Sequence, residues 1–275
     1  MLAPNDSASI FAANRARGRI VLSTAADGAR TRRARVQEQG SLRVRFPNGP
    51  GKSLEAVIVN TGGGMTGGDR FDIAVTAGAG ARLVVGSAAA EKIYRSTGPD
   101  AEMTVRLAAG SGARLAWLPQ ETILFDGARL TRRIAIDLAA DAGLIMAEAV
   151  VFGRAAMGET MRQGSFADSW RLTRDGRLIF AEGIRLDGAI ADQLAMRAVT
   201  AGGIAIATVL AAPAGEEALT AVRALADQFA GEVGISAWND LAVARLVARD
   251  GAALRHDLIA VLAALGQSVP RLWLQ

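Results

Sequence analysis

Apolar residues recur at every second position through much of the chain. Leu42, Val44 and Phe46 alternate with Arg43 and Arg45, and Phe71, Ile73 and Val75 alternate with Asp72, Ala74 and Thr76. This is the pattern of strands with one buried and one wet face. Arg19–Thr24 and Leu54–Val59 read as two further strands, with the turn cluster Pro47-Asn48-Gly49-Pro50-Gly51 between Phe46 and the second of them. The pattern itself repeats. Ile73-Ala-Val75 leads to Gly80-Ala-Arg-Leu83, Val105-Arg-Leu107 to Gly112-Ala-Arg-Leu115, and Ile136-Asp-Leu138 to Gly143-Leu-Ile-Met146, while Trp170-Arg-Leu172 leads to a worn copy at Gly176-Arg-Leu-Ile179. The glycines step by 32, 31 and 33 residues. Repetition at that period indicates stacked supersecondary units, each leaving its apolar face to be covered by a neighbour. Each unit reads as strand, glycine turn and strand, which predicts a mainly β, layered β-sandwich or β-solenoid-like scaffold.

Toward the C-terminus the period changes. A strand over about 203–211 is followed by Ala218, Leu219, Val222, Leu225, Ala226 and Phe229 at helical spacing, with Gly231 as a stop. Leu254, Leu258, Val261, Leu262 and Leu265 mark a second helix over about 252–265, and strands at 234–238 and 241–247 separate the two. The expected organisation is one domain over residues 1–275, with a β-rich scaffold at 15–212 and a helix-containing part at 213–275.

Composition narrows the function. The chain has 275 residues, 51% hydrophobic, enough to bury a full core. No window approaches the roughly 18 uninterrupted apolar residues of a membrane span, and Met1–Arg19 carries no apolar signal region, so a cytoplasmic location is the default expectation. There is no cysteine and a single histidine, His256, which lies about 160° from the centre of the second helix's apolar stripe and so should face solvent. A tight nitrogen or sulfur metal site is therefore excluded within one chain. Lys52 and Lys92 are the only lysines, so the positive charge is nearly all arginine, a side chain suited to carboxylate pairing. The clusters Arg15/Arg17/Arg19 and Arg30/Arg32/Arg33/Arg35 lack the interleaved aromatics of a single-strand binder and read first as a solvated edge, then as a contact for an acidic protein; nucleic acid is not expected.

The stretch Gly62-Gly63-Gly64-Met65-Thr66-Gly67-Gly68-Asp69-Arg70 holds five glycines in nine residues. In a phosphate site the glycines open a helix, but here they open the strand beginning at Phe71. Gly51-Lys52-Ser53 fails as a P-loop in the same way, because a strand follows it. Asp69 is then either a backbone-capping acid that fixes the turn or an oxygen ligand for an ion. Two more carboxylates stand out, since Leu144-Ile-Met-Ala-Glu148-Ala149 and Leu178-Ile-Phe-Ala-Glu182-Gly183 are nearly the same six residues. Strand parity places Glu148 with Leu144 and Met146, and Glu182 with Leu178 and Phe180. Direct pairing of those strands would bring the carboxyls to about 5 Å, and a cation between them, Arg154, Arg185 or a metal, would relieve their repulsion. Carboxylate-dependent hydrolysis by Glu148 and Glu182 is the alternative chemistry. The segments between the repeats, 88–96, 118–128 and 152–159, are the loops most suited to carry function.

In order along the chain, Gly63-Gly64-Met65-Thr66-Gly67-Gly68-Asp69-Arg70, Ala90-Glu-Lys92-Ile-Tyr94-Arg95-Ser96, Leu118-Pro119-Gln120-Glu121, Gly153-Arg154-Ala-Ala-Met157-Gly158-Glu159, Gly176-Arg177-Leu178, Glu182, Arg185-Leu186-Asp187-Gly188 and Pro270-Arg271-Leu272-Trp273 resemble the urease accessory protein family UreD, also called UreH. The resemblance runs over nearly the whole chain. It departs slightly at Met65 and Thr66, where the family pattern has leucine and valine. It implies a non-catalytic chaperone for nickel insertion, which binds UreF, meets the GTPase UreG through it and docks on the urease apoprotein. It further implies no tightly bound cofactor, nickel only in transit, and Asp69, Glu148 and Glu182 as candidates for the nickel route.

Overall fold

The computed structural model describes residues 15–47 and 53–274. Most of the expected turn at Pro47–Gly51, and Gly51 and Lys52 of the P-loop-like segment, lie outside these residues.

Three stacked coils form the frame, because the repeat places one strand in each of two sheets. β5 (Arg70–Ala77) leads to β6 (Arg82–Ser87), β8 (Ala101–Ala109) to β9 (Arg114–Leu118), and β11 (Arg129–Leu138) to β12 (Gly143–Phe152). Successive coils pair in parallel and in register. Ile73, Val105 and Ile134 form one rung of the first sheet, and Leu83, Leu115 and Leu144 one rung of the second. Gly80 and Gly112 turn the chain from one sheet to the other at φ 67° and 65°, a conformation glycine adopts without steric cost. The turns also stack on one another, the Gly80 amide donating to the Ser111 carbonyl at 2.8 Å.

Antiparallel strands flank this parallel centre. The first sheet has seven strands, in the order β14 (Arg177–Ala189), β13 (Gln163–Arg174), β11, β8, β5, β1 (Arg17–Asp27), β2 (Arg30–Gly40). The second runs β16 (Glu232–Trp238), β17 (Leu241–Ala248), β15 (Ala205–Ala212), β12, β9, β6, β4 (Leu54–Asn60), β3 (Leu42–Arg45), with the short strands β7 (Glu91–Ile93) and β10 (Thr122–Leu124) attached beside β12. The solenoid-like expectation holds for three copies of the repeat. The fourth departs from it: Asp175 and Gly176, at φ 48° and 74°, fold β14 back antiparallel to β13 in the same sheet. Two successive left-handed residues between strands make a tight hairpin turn, whereas the earlier copies use longer alanine-glycine turns that reach the opposite sheet.

Two cores result. Leu144, Met146, Val150 and Phe152 of β12 point between the sheets, while Ala147, Ala149 and Val151 point outward beneath helices. Those helices are α2 (Glu216–Arg223) and α3 (Gly251–Ala264), preceded by a short α1 (Ile190–Ala195) that periodicity did not predict. α3 matches expectation and is capped by Asp250, which accepts from the Ala253 amide at 2.8 Å; His256 on it is exposed. α2 ends earlier than expected, and the chain passes through a 3-10 turn at Ala226–Gln228 before β16. Asp257 of α3, fully buried, accepts from the amides of Ala230 and Gly231 at 2.8 Å each, joining α3 to the start of β16.

Candidate functional site

The glycine stretch is a clamped loop. Asn60, at the end of β4, donates to the Gly64 carbonyl at 3.1 Å and to Glu91 Oε1 at 2.9 Å, and accepts from the Gly62 amide at 2.9 Å. Asp69 is buried; Oδ1 accepts from the Ala16 amide and Oδ2 from the Thr66 amide, both at 2.8 Å. Of the two readings of Asp69, backbone capping matches this geometry, since each oxygen already holds an amide. Gly64, at φ 151°, lies so close to the next coil that a Cβ would fall 2.5 Å from Tyr94 Cε2 and 2.7 Å from the Lys92 carbonyl. Glu91, half-buried behind this contact, has its carboxyl pushed up to about 7 by burial, against the opposing pull of Asn60 and Lys92.

The inter-repeat segments come together because the coils stack. Met65, Ile93, Leu124 and Phe152, one from each turn of the chain, bridge in parallel to form a buried column. Beside it runs a solvent-facing column. The Tyr94 and Phe125 rings meet edge to face at 5.0 Å, and the Arg154 guanidinium lies 4.1 Å from the Phe125 centroid. Asp126 takes both Arg162, at 2.8 Å, and Arg95, at 3.7 Å. Arg154 is itself held by Glu159 at 2.8 Å. An open groove of about 770 Å³ runs along this column, with Met157 exposed at its rim. The segment at 118–121 is fixed from the opposite end of the chain. Trp273 Nε1 donates to the Leu118 carbonyl at 3.2 Å, and Arg255 donates to Glu121 at 2.7 Å and to the Trp273 carbonyl at 2.9 Å.

Between the sheets lies a buried ionic chain. Glu148 accepts from Trp117 Nε1 at 2.7 Å and from Arg132, which also donates twice to Asp168, at 3.0 and 2.6 Å. Trp170 Nε1 closes the chain on Asp168 at 3.0 Å. Burial disfavours the Arg132 charge, but Asp168 and Glu148 more than offset this and hold the guanidinium above its ordinary value. Burial pushes the Glu148 carboxyl up despite Arg132 and Trp117, and the nearby Asp168 adds to the rise.

The expected direct pairing of the Glu148 and Glu182 strands does not occur. β12 lies in the second sheet beside β9 and β15, and β14 lies at the edge of the first because of the Asp175-Gly176 hairpin. The cations are also different from those expected: Arg132 serves Glu148 and Arg245 serves Glu182, at 2.7 Å, while Arg154 is engaged by Glu159 and Arg185 is exposed. The extra residue Ile179 shifts the register of β14, so Leu178 leaves the face shared by Phe180 and Glu182. The two glutamates are related through a single residue of the second sheet. Thr208 of β15 is the cross-strand partner of Glu148, and its hydroxyl donates to Glu182 Oε1 at 3.4 Å. Thr208 thus links the strand of the buried Glu148 to the edge where Glu182 and the exposed Arg245 stand. Among the described residues no three acids or histidines are grouped to hold a metal.

Arg132 and Asp168 were not among the expected residues, although parity marks both. Arg132 falls between Leu130 and Ile134 on the buried face of β11, and Asp168 between Phe166 and Trp170 on that of β13.

Comparison with known proteins bears on what this arrangement serves. Residues 16–274 match the family model described as UreD urease accessory protein. A protein named urease accessory protein UreD from Rhodopseudomonas palustris strain BisB18 is 56% identical over 269 residues, covering 98% of this chain and 97% of the relative. Its namesake from Bradyrhizobium diazoefficiens strain USDA 110 is 54% identical over 268 residues, with 98% and 97% covered. Urease accessory protein UreD 1 from Bradyrhizobium sp. strain ORS 278 is 51% identical over 269 residues, again with 98% and 97% covered.

Proposed function

Because the chain belongs to the UreD family of urease accessory proteins, with a role in urease maturation, we propose that it is a non-catalytic scaffold for assembling the nickel centre of urease. It acts in the cytoplasm in a complex with UreF, the GTPase UreG and the urease apoprotein, and nickel is its cargo, with no tightly bound cofactor. The observation that carries this reading is the set Glu148, Thr208 and Glu182, in which the strand partner of the buried Glu148 donates to Glu182 at the edge of the sandwich. Each carboxylate there is held by an arginine, so a passing cation exchanges with a guanidinium and finds exchangeable oxygen ligands, which suits transit better than storage. Asp69, both of whose oxygens hold backbone amides, caps the glycine loop and is not part of this set. The hydrolase alternative draws no support from this geometry, since a catalytic acid or base must reach substrate and Glu148 is buried with both oxygens engaged.

The test is complementation of a urease-positive strain lacking its own copy. The wild-type chain should restore urease activity, and failure to do so overturns the accessory role. Glu148→Gln with Glu182→Gln, which keeps volume and leaves one accepting oxygen on each side chain, should leave co-purification with urease intact while lowering urease nickel content several-fold. An unchanged nickel content removes the passage from the proposal.

A further inference from the structure

The outer face of the seven-stranded sheet carries no helix, and its composition follows from the registers. One outward row reads Arg19, Asp72, Thr104, Arg133, Ser169, Gly183, and the next Val21, Ala74, Arg106, Ala135, Arg171, Ala181. Arginines therefore stand on a floor of small side chains. Asp72 and Glu102 are matched by Arg106 at 2.8 Å and Arg70 at 3.3 Å, and Asp137 and Asp187 sit toward the two ends of the strands. Arg17, Arg19, Arg133, Arg171 and Arg185 are exposed and form no ion pair among the described residues.

Six strands at about 4.8 Å spacing and eight residues at about 3.3 Å give a face of about 750 Å², near the roughly 800 Å² one partner contributes to a stable interface. Guanidinium groups suit that role, because a planar fork meets a carboxylate bidentately and loses little hydration on burial. The small residues between them let a second surface approach closely. A nucleic acid fits less well: Asp72, Glu102 and Asp137 would repel a phosphate backbone, and no aromatic side chain stands in either row to stack a base.

We propose that this face docks an acidic protein surface, and that its occupant is an acidic face of the urease apoprotein. The proposal rests on the accessory role given above. It assigns the arginine face, not the nickel route, as the surface that receives the client.

The experiment measures binding of the purified full-length chain to immobilised urease apoprotein. Wild type should bind, and its affinity should fall steeply as salt is raised. Arg19→Glu/Arg133→Glu/Arg171→Glu should weaken binding at least tenfold at physiological salt, while Arg249→Glu, outside this face, should not. Melting curves establish that the variants fold, and if the charge reversal does not, the triple Arg→Gln variant should show a smaller loss in the same direction. Absence of wild-type binding, an unchanged affinity in the triple variant, an equal loss in Arg249→Glu, or tighter binding to a 20-base-pair DNA duplex than to apo-urease each overturns the proposal. The accessory role fails separately, only if wild type does not restore urease activity in the deletion strain.

Discussion

Glu91 shows how much chemistry one side chain receives from its neighbours. Its carboxyl is raised from 4.5 to about 7 by burial, against the opposing pull of Asn60 and Lys92. A carboxyl with a raised pKa binds more protons in the folded state, so folding is favoured below its unfolded value and that advantage is lost as pH climbs through the folded value. Stability of the wild type should accordingly fall between pH 4.5 and 7. Glu91→Gln, which can still accept from Asn60, should flatten that part of the profile in chemical denaturation at several pH values. A slope identical to wild type would mean the carboxyl stays ionised throughout. Residue-level reading of the sequence went furthest where one side chain answers to its own backbone. Asp69 as a cap follows from a glycine turn that needs its amides satisfied. The partnering of Glu148 with Arg132 did not follow, because Arg132 reaches it from the opposite sheet while held by Asp168, and which strands face each other is set by tertiary structure.

At the level of elements, alternation predicted strands well because both sheets bury one face against the sandwich core. α3 was legible for a similar reason, having an apolar stripe and a capping acid ahead of it. The start of α2 was legible but its end was not, since Leu225 and Phe229 satisfy helical spacing but the chain must straighten at Glu232 to enter β16. Asp257 enforces that entry by holding the amides of Ala230 and Gly231. Replacing it with alanine leaves two partly buried amides without their acceptor and should cost about 2 kcal/mol, lowering Tm by about 4–8 °C in a thermal melt. Asp257→Asn, with one oxygen left to accept, should lose less. The fourth repeat is the clearest misreading. Its strand–glycine–strand pattern is real, but Asp175-Gly176 is short and doubly left-handed, so the local turn overrode the repeat.

Across the whole molecule, the period of about thirty residues made the solenoid-like stack legible, because register between coils is written in equal spacing. It also explains why family motifs far apart in sequence form one surface: residues at the same phase of successive coils must lie side by side. What spacing could not give was the depth of the molecule, the placing of α2 and α3 over only the second sheet, which leaves the arginine face of the first open.

The hairpins at the two edges of the first sheet carry a last consequence. A parallel stack is a template that accepts another copy of itself at either edge, as in a growing filament. Here β14 returns against β13, and β2 returns against β1 with a bulge at Ala34 and with Glu38 turned toward β3, where it accepts from the Val44 amide at 2.5 Å. Chain growth is thereby terminated in both directions, and the hairpins are what make a repetitive sequence a discrete particle. Removing residues 1–40 bares β5, so sedimentation of that variant should show concentration-dependent polymers where the full chain shows none.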